Sequence, residues 1–269
     1  MKTVFITGTS SGIGKETAKL FQAKGWNVIA TMRNPEAETE LNKLENVLVL
    51  QCDVTDRKSI KNAIDTGIQT FGNIDVLVNN AGYYLVGAFE AATDEQIRRQ
   101  IDTNLVGLID VTKEIIPHLR KQKSGTIINV SSIAGNISIP LQTLYHATKW
   151  GVDGFSESLQ YELRQFNIRV KIIQPGVIKT DFLGRSMTMT KIDNIKEYDP
   201  YCQKVIKNLM KNGEKGSSPQ GTAQTIYQAA TDNKSKLRYP TGNSKGMVNL
   251  RKLLPVSLFR TLIQSAMEK

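Results

Sequence analysis

The sequence predicts an α/β protein in which helices cover both faces of one doubly wound parallel β-sheet, giving three layers. Short β-branched or apolar runs alternate with helical patterns for six cycles without a break in composition. This alternation is typical of strands joined by crossover helices. The apolar run at 74–79 favours a strand buried on both faces. The length of 269 residues fits one large domain, 1–269.

The individual elements follow from local patterns taken in chain order. The helix at 56–71 begins at the cap-like pair Thr55 and Asp56. After residue 176 the periodicity loosens, and 183–216 is predicted to be a polar loop, interrupted by Pro200, that borders the substrate. Strands are predicted at 2–7, 27–31, 46–51, 74–79, 125–131 and 169–174, and helices at 15–25, 35–44, 56–71, 93–121, 145–166, 219–232 and 246–267.

The two cysteines and two histidines argue against a disulfide framework and against a metal site. Cys52 and Cys202 are far apart, and only His118 and His146 are available as imidazole ligands. No apolar run is long enough to cross a bilayer, and the first strand leaves no room for a signal peptide. We therefore expect a cytoplasmic protein without a metal.

The formal net charge of +10 is concentrated at the C-terminus, since 234–269 holds eight Lys or Arg and one Glu. The tail lacks the aromatic–basic interleaving of single-strand binders, so we do not expect a nucleic-acid partner. The last helical pattern, 248–267, mixes apolar residues with cations and permits a peripheral contact with a membrane surface. We favour packing against its own domain or a neighbouring subunit.

A glycine-rich turn follows the first strand and opens the first helix. It reads Thr7-Gly8-Thr-Ser-Ser-Gly12-Ile-Gly14, with the spacing GxxxGxG. Gly8 permits a tight turn, Gly12 a close approach of the backbone to a phosphate, and Gly14 close packing of helix on strand. The free N–H groups and dipole of a helix N-terminus favour a phosphate there. The turn therefore predicts a nucleotide site.

Tyr145 and Lys149 stand four residues apart in a helical pattern, so their side chains share one face. A neighbouring ammonium stabilises a phenolate and would lower the phenol pKa from its usual value near ~10. Ser132, thirteen residues earlier, can hold the oxygen whose proton Tyr145 gives or takes. The three predict general acid–base chemistry on a carbonyl or alcohol.

Together these motifs resemble the short-chain dehydrogenase/reductase family, in its compact single-domain branch. The resemblance rests on the glycine turn, on Asn79-Asn80-Ala81-Gly82, on Ser132 with Tyr145-x3-Lys149, and on Pro175-Gly176, in family order from residue 3 to about 180. It implies a Rossmann-type fold, a nicotinamide cofactor and hydride transfer between an alcohol and a carbonyl.

Carried over by position, the resemblance implies a role for each motif residue. Tyr145 is the general acid/base, Lys149 lowers its pKa and holds the nicotinamide ribose, and Ser132 positions the substrate oxygen, with Ser131 as the alternative. Asn104 resembles the residue that holds a proton-relay water; a helix-kinking or capping role is the alternative. The expected cofactor contacts are Gly8, Ser10, Ser11, Gly12, Ile13, Gly14, Arg33, Asp53, Val54, Asn80, Ala81, Gly82, Tyr145, Lys149, Pro175, Gly176, Ile178 and Thr180.

The end of the second strand predicts NADP rather than NAD. NAD sites carry an acid about 20 residues after the glycine motif, and here that position is Met32, followed by Arg33. A cation there pairs with a 2′-phosphate.

The predicted substrate pocket is mostly apolar and indicates a hydrophobic ketone, aldehyde or alcohol. Its expected contacts are Ser132, Asn136, Leu141, Tyr145, Val177 and Leu183. The glycine motif and the C-terminal segment are similar to the 17β-hydroxysteroid and retinol dehydrogenase group. A non-catalytic NADP-binding regulator on the same fold is the alternative. Family members commonly pair through the helices that carry Asn104 and Tyr145, so we expect a homodimer or homotetramer.

Overall fold

The computed structural model of the chain describes residues 1–179, 187–190 and 195–268. Seven parallel strands form the main sheet: β1 Thr3–Thr7, β2 Asn27–Met32, β3 Val47–Gln51, β4 Val76–Asn79, β6 Gly125–Val130, β7 Ile168–Pro175 and β9 Arg238–Thr241. Their order is β3-β2-β1-β4-β6-β7-β9. A second, two-stranded parallel sheet pairs β5 Tyr84–Val86 with β8 Met187–Met189.

Helices cover both faces of the main sheet, as predicted. The helices are α1 Gly12–Ala23, α2 Arg57–Phe71, α3 Asp94–Ile101, α4 Gly107–Gln122, α5 Thr143–Leu163, α6 Asp199–Gly213, α7 Pro219–Thr231, α8 Ser244–Leu253 and α9 Val256–Glu268. Alternate residues of β1 point to opposite faces, because strand side chains have a period of two. Val4 and Ile6 pack with α1 and α7, whereas Phe5 packs with α2, α4 and α5. The three-layer Rossmann-type fold is confirmed.

The strand order changes direction between β1 and β4. From β1 the chain builds outwards through β2 and β3, and it then returns to place β4 on the other side of β1. Crossovers that leave in opposite directions open a crevice at the carboxyl ends of the two strands, which is where ligands bind in such sheets. The glycine turn after β1 and the Asn-Ala-Gly segment after β4 both lie at this point.

The predicted helix at 35–44 is wrong. The structure has two 3-10 turns there, Pro35–Ala37 and Leu41–Lys43. The Glu38 carboxylate accepts hydrogen bonds from the backbone N–H groups of Glu40 and Leu41, at 2.8 and 3.0 Å. A side chain that captures nearby backbone donors competes with the helical pattern.

The C-terminal prediction of one helix over 246–267 is also wrong. Pro255 divides it into α8 and α9, and Leu254 before it is extended, at φ −92° and ψ 143°. Proline disfavours a helical conformation at the preceding residue. The predicted irregular loop at 183–216 contains α6, in which Pro200 lies in the first turn, where it costs no hydrogen bond.

The structure adds an edge strand that the sequence pattern missed. β9 contains Pro240, and proline is tolerated at the edge of a sheet but otherwise argues against a strand. The predicted helix at 93–121 is interrupted by a π-helical turn, Asp102–Val106, between α3 and α4. In the part of the chain that the structure describes, no helix combines the length and the apolar character needed to span a bilayer.

The π-helical turn and the outer face of α5 expose apolar side chains. Val106 is 37% exposed, Trp150 50% and Tyr161 72%. These are the helices through which the family commonly pairs, and the homodimer or homotetramer stays a prediction.

Candidate active site

A cleft of about 650 Å³ opens at the carboxyl ends of β1 and β4. Most of the predicted cofactor and catalytic residues line it. They are Gly8, Ser10, Ser11, Gly12, Ile13, Arg33, Asp53, Val54, Asn80, Ala81, Gly82, Ser132, Tyr145, Lys149, Pro175, Gly176 and Ile178. The fold thus brings together segments separated by up to 170 residues in the sequence.

The glycine turn has the close packing that its spacing predicts. Gly8 has a φ of +71°, and a Cβ added there would lie 2.8 Å from Ala81 Cα. A side chain at Gly14 would overlap the Gly8 carbonyl oxygen and the Asn80 amide. Gly14 therefore does not line the cleft but lets α1 approach β1, as expected of the third glycine.

The N-terminus of α1 faces the cleft. Its N-cap residue, Ser11, makes no side-chain capping hydrogen bond, and Ser10 is exposed. The first backbone N–H groups of a helix have no partner within the helix. This end of α1 therefore offers backbone donors, two serine hydroxyls and the positive end of the helix dipole to an anionic group.

Asn80 ties the glycine turn to the end of β4. Its side-chain amide donates to the carbonyls of Thr7 and Gly8, both at 2.9 Å. The Thr7 hydroxyl in turn accepts from the backbone N–H groups of Asn80 and Ala81, at 2.9 and 3.0 Å. These four bonds fix the floor of the cleft.

The ends of β2 and β3 also line the cleft. Met32 is buried, Arg33 is exposed beside it, and no acid stands at either position. The Asp53 carboxylate accepts from the Thr55 backbone N–H and hydroxyl, at 2.9 and 2.8 Å. The cap of α2 is Asp56, which accepts from the Lys58 N–H.

Ser132, Tyr145 and Lys149 meet at one wall of the cleft, where all three are buried. The hydroxyls of Ser132 and Tyr145 are joined by a hydrogen bond. Lys149 Nζ lies 5.7 Å from the centroid of the Tyr145 ring and donates to the Val130 carbonyl at 2.9 Å. Ser131 also lines the cleft, but its hydroxyl donates to the Lys149 carbonyl at 3.4 Å.

Burial is the largest influence on the pKa values of Tyr145 and Lys149. It raises the pKa of Tyr145 to about 12, opposed by the hydrogen bond with Ser132. The sequence predicts the reverse direction, and this expectation is wrong, because the loss of solvent around the phenol disfavours the phenolate. Burial also lowers the pKa of Lys149 to about 8, opposed by the charge of Asp153.

Asn104 lies in the π-helical turn and is 1% exposed. Its side chain accepts from the Tyr83 backbone N–H at 3.0 Å and donates to the Tyr83 carbonyl at 2.8 Å. It does not line the cleft. Its proton-relay role stays a prediction, and the structure adds a positioning role for the segment after Gly82.

His146, next to the tyrosine, is bound on both ring nitrogens. Its Nε2 accepts from the Ile139 N–H and its Nδ1 lies against the Ala134 carbonyl, both at 2.9 Å. Burial lowers its pKa, so the ring is neutral and holds the loop between β6 and α5.

Of the predicted substrate contacts, Ser132 and Tyr145 line the cleft, and the other described ones do not. Leu141 is buried with a φ of +61° and packs in one hydrophobic cluster with Tyr145, while the Asn136 amide nitrogen is buried without a hydrogen-bond partner in the described chain. Neither lines the cleft, and neither does Val177, whose N–H donates to Asn243. Thr180 and Leu183 fall outside the described residues.

Several residues in or next to the cleft were not expected from the sequence. Tyr84 packs edge-on against Tyr145, with ring centroids 4.9 Å apart. Tyr83 and Arg99 stack at 5.1 Å, and both line the cleft together with Thr188. The position of the two tyrosines directly after Asn80-Ala81-Gly82 was a signal for them, whereas Arg99 and Thr188 reach the cleft only through folding.

Comparison with known proteins decides the family. The model of the short chain dehydrogenase family matches residues 2–191. The chain belongs to this family.

Three relatives agree with the assignment. The uncharacterized oxidoreductase YusZ of Bacillus subtilis is 37% identical over 274 residues, covering 98% of this chain and 97% of its own. The 3-ketodihydrosphingosine reductase of Bacteroides thetaiotaomicron is 34% identical, covering 89% and 87%. Human retinol dehydrogenase 8 is 31% identical, covering 89% and 81%.

Solved structures of short-chain dehydrogenases share the fold. A short-chain dehydrogenase from Streptomyces avermitilis superposes with a TM-score of 0.84 at 28% identity, covering 98% of this chain and 97% of that one. ElxO, in a structure with NADP bound, gives a TM-score of 0.74 at 30% identity, covering 89% and 97%. This chain is therefore an oxidoreductase of the short-chain dehydrogenase/reductase family, as its motifs predict.

Proposed function

We propose that the protein is an NADP(H)-dependent oxidoreductase that interconverts a carbonyl and a primary or secondary alcohol on a hydrophobic substrate. The observation that carries the proposal is the hydrogen-bonded pair Ser132–Tyr145 with Lys149 beside it, in the same cleft as the glycine turn. One wall of the cleft thus holds a proton donor, Tyr145. The floor of the cleft holds the N-terminus of α1, whose backbone N–H groups can bind an anionic group.

The cleft fits a dinucleotide. Its floor carries the uncapped end of α1 for a pyrophosphate, Asp53 and Val54 line the end expected for adenosine, and Lys149 reaches the end expected for the nicotinamide ribose. When bound, a reduced nicotinamide supplies a hydride to a carbonyl carbon. Tyr145 donates its phenolic proton to the carbonyl oxygen, Ser132 orients that oxygen, and the alcohol is formed; oxidation reverses each step.

Preference for NADP is supported by the wall formed by the end of β2. Met32 leaves no acid to accept the ribose 2′-hydroxyl, and the exposed Arg33 beside it lines the same cleft as Ser10 and Ser11. A guanidinium and hydroxyl groups match a phosphate, which has several acceptor oxygens. ElxO, 30% identical, is a relative of known structure with NADP bound.

A hydrophobic substrate is supported by the surroundings of Tyr145. It belongs to a cluster of buried apolar residues that includes Tyr84, Ile137, Leu141, Val205 and Phe259. None of these five side chains lines the cleft itself, but they place the proton donor among apolar side chains, which favours a substrate with apolar groups next to its carbonyl. The names of two relatives, a 3-ketodihydrosphingosine reductase and a retinol dehydrogenase, point to long apolar substrates in those proteins.

The reaction is tested with a panel of steroid, retinoid, long-chain 3-keto and short aliphatic carbonyls, following NADPH oxidation. Turnover is expected for apolar members and should fall roughly 10²–10⁴-fold in Tyr145→Phe, which removes the proton donor. Tyr84→Phe, the neighbouring ring without a proposed proton transfer, is the matched control. Tight NADPH binding without turnover of any carbonyl would overturn the proposal and favour a regulator.

The cofactor preference has its own test. Arg33→Ala should lower the ratio of NADP to NAD affinity by roughly tenfold or more, the value of a charge-assisted hydrogen bond. Lys24→Ala, which removes an exposed cation at the far end of α1, is the control. An unchanged ratio in Arg33→Ala contradicts the NADP assignment without touching the proposed reaction.

A further inference from the structure

The turn between α8 and α9 exposes an apolar surface. Leu253 is 80% exposed and Val256 64%, on either side of the exposed Pro255. The same surface continues along α8 with Leu250, 37% exposed, and along α9 with Leu258 and Leu262, 49% and 45% exposed. We call these five side chains the elbow surface. Contiguous exposed apolar side chains of this kind mark a contact with a partner or a membrane.

The neighbouring face of α9 packs within the domain. Phe259, Ile263 and Met267, at four-residue spacing, are buried in the hydrophobic cluster that contains Tyr145. Two hydrogen bonds hold the end of α9 on α6, from Tyr201 Oη to Glu268 Oε1 at 3.1 Å and from Asn208 Nδ2 to the Met267 carbonyl at 3.0 Å. The packing predicted for this segment therefore occupies one face and leaves the elbow surface on another.

Cations without acids accompany the elbow surface. Between residues 233 and 267 the sequence has no Asp or Glu. Lys245 and Lys252 are exposed on α8, Arg260 is exposed on α9, and Arg251 stacks 5.7 Å from the Phe259 ring centroid. An apolar ridge flanked by cations complements an anionic lipid surface, where acyl chains and acidic headgroups lie one above the other.

We infer that the elbow surface docks this enzyme on anionic lipid bilayers. The apolar side chains enter the boundary between headgroups and acyl chains, while Lys245, Lys252 and Arg260 lie at the headgroups. A second copy of the chain fits less well, because it would bring a second set of the same cations to the contact. The docking does not depend on the proposed reaction. It places α9, which packs in the same hydrophobic cluster as Tyr145, next to a membrane in which apolar molecules dissolve.

The test is co-sedimentation of the full-length protein with vesicles of phosphatidylcholine alone and of phosphatidylcholine with phosphatidylglycerol in equal parts. We expect binding to the anionic vesicles that weakens as salt is raised. The double variant Leu253→Ser/Val256→Ser should lower the partition coefficient roughly tenfold or more, because it removes two apolar side chains from the contact. The double variant Lys252→Glu/Arg260→Glu should lower it by more than about 30-fold, because two headgroup cations are not only lost but reversed.

Matched controls change similar side chains elsewhere. Tyr161→Ser removes an exposed aromatic side chain on α5, and Lys58→Glu/Lys113→Glu reverses two exposed cations on α2 and α4. The partition coefficients of both variants should stay within about twofold of the wild-type value. Thermal unfolding and NADPH binding show that each variant is folded. The inference is overturned if the wild type does not bind anionic vesicles, if the controls lose as much binding as the elbow variants, or if the elbow variants change only the oligomeric mass in light scattering.

Discussion

The side chain of Asn104 binds both backbone polar groups of Tyr83, accepting from its N–H at 3.0 Å and donating to its carbonyl at 2.8 Å. This pair joins the π-helical turn to the segment that follows Gly82, and Gln100 adds a bond to the same Tyr83 carbonyl at 3.1 Å. Tyr83 lines the cleft and the next residue, Tyr84, packs against the Tyr145 ring, so Asn104 holds this segment in place beside the site.

Asn104→Ala should destabilise the protein by about 1–3 kcal/mol, because the buried polar groups of Tyr83 lose a partner. Asn104→Asp should cost at least as much, since a carboxylate oxygen would face the Tyr83 carbonyl. Urea denaturation measures both. Asn34→Ala, at an exposed asparagine whose side chain makes no capping hydrogen bond, should change the unfolding free energy by less than about 0.5 kcal/mol. A cost for Asn104→Ala as small as that of the control would show that the pairing with Tyr83 does not matter for stability.

Gly14→Ala should abolish tight cofactor binding and lower the thermal stability. Its methyl group would overlap the Gly8 carbonyl oxygen and the Asn80 amide, so α1 would have to move away from the glycine turn. Gly154→Ala in the interior of α5 is the matched control. A Cβ there meets nothing within 4 Å, and alanine should stabilise the helix by about 0.5–1 kcal/mol. Calorimetry and NADPH titration measure both variants. Equal behaviour of the two would contradict the close packing of α1 on β1.

Lys149→Met should inactivate the enzyme but stabilise it by about 1–3 kcal/mol at pH 7, because a buried ammonium is costly. The folded pKa of Lys149 is lowered to about 8, whereas the unfolded value is about 10.4. Below pH 8 the lysine is charged in both states and its cost is complete. Between these two values the unfolded chain binds more protons, so the wild type gains stability and the advantage of methionine shrinks.

Chemical denaturation of wild type and Lys149→Met from neutral to alkaline pH measures this difference. Lys171→Met is the contrasting variant, because that buried lysine is paired with Asp232 and donates to the Ala229 carbonyl at 2.7 Å. Its loss should destabilise the protein. A Lys149→Met advantage that is constant across pH would rule out titration of Lys149 as its origin.

Asp153→Asn should move the titration of Lys149 to lower pH. Asp153 is buried one helical turn after Lys149, accepts from Gln174 Nε2 at 2.8 Å and lies 3.5 Å from Arg238 Nε. Its charge opposes the fall in the pKa of Lys149. We expect the midpoint of the pH dependence of NADPH binding to fall by about one unit. Glu157→Gln, which removes the other carboxylate bound to Arg238, should leave it in place. An unmoved midpoint in Asp153→Asn would limit this residue to a structural role.

The sequence by itself determined six of the seven strands of the main sheet, the two helical layers and the place of the cleft. The alternation of strands and helices and the buried apolar runs are visible as local periodicity in the sequence. The spacing of the glycines reflects a requirement of the local backbone. Both signals depend only on residues close together in the chain. The family motifs also named most of the residues that line the cleft.

The tertiary structure decided what depends on contacts between distant segments. The Glu38 carboxylate binds nearby backbone N–H groups, and turns form where a helix was predicted. Pro240 is compatible with a strand because β9 lies at the edge of the sheet. Arg99 on α3 lines the cleft only because the chain folds α3 against it. The pKa direction of Tyr145 was decided in the same way. A four-residue spacing places an ammonium nearby, but the loss of solvent around the phenol depends on side chains from β5, the loop after β6, α6 and α9, and no local pattern contains that burial.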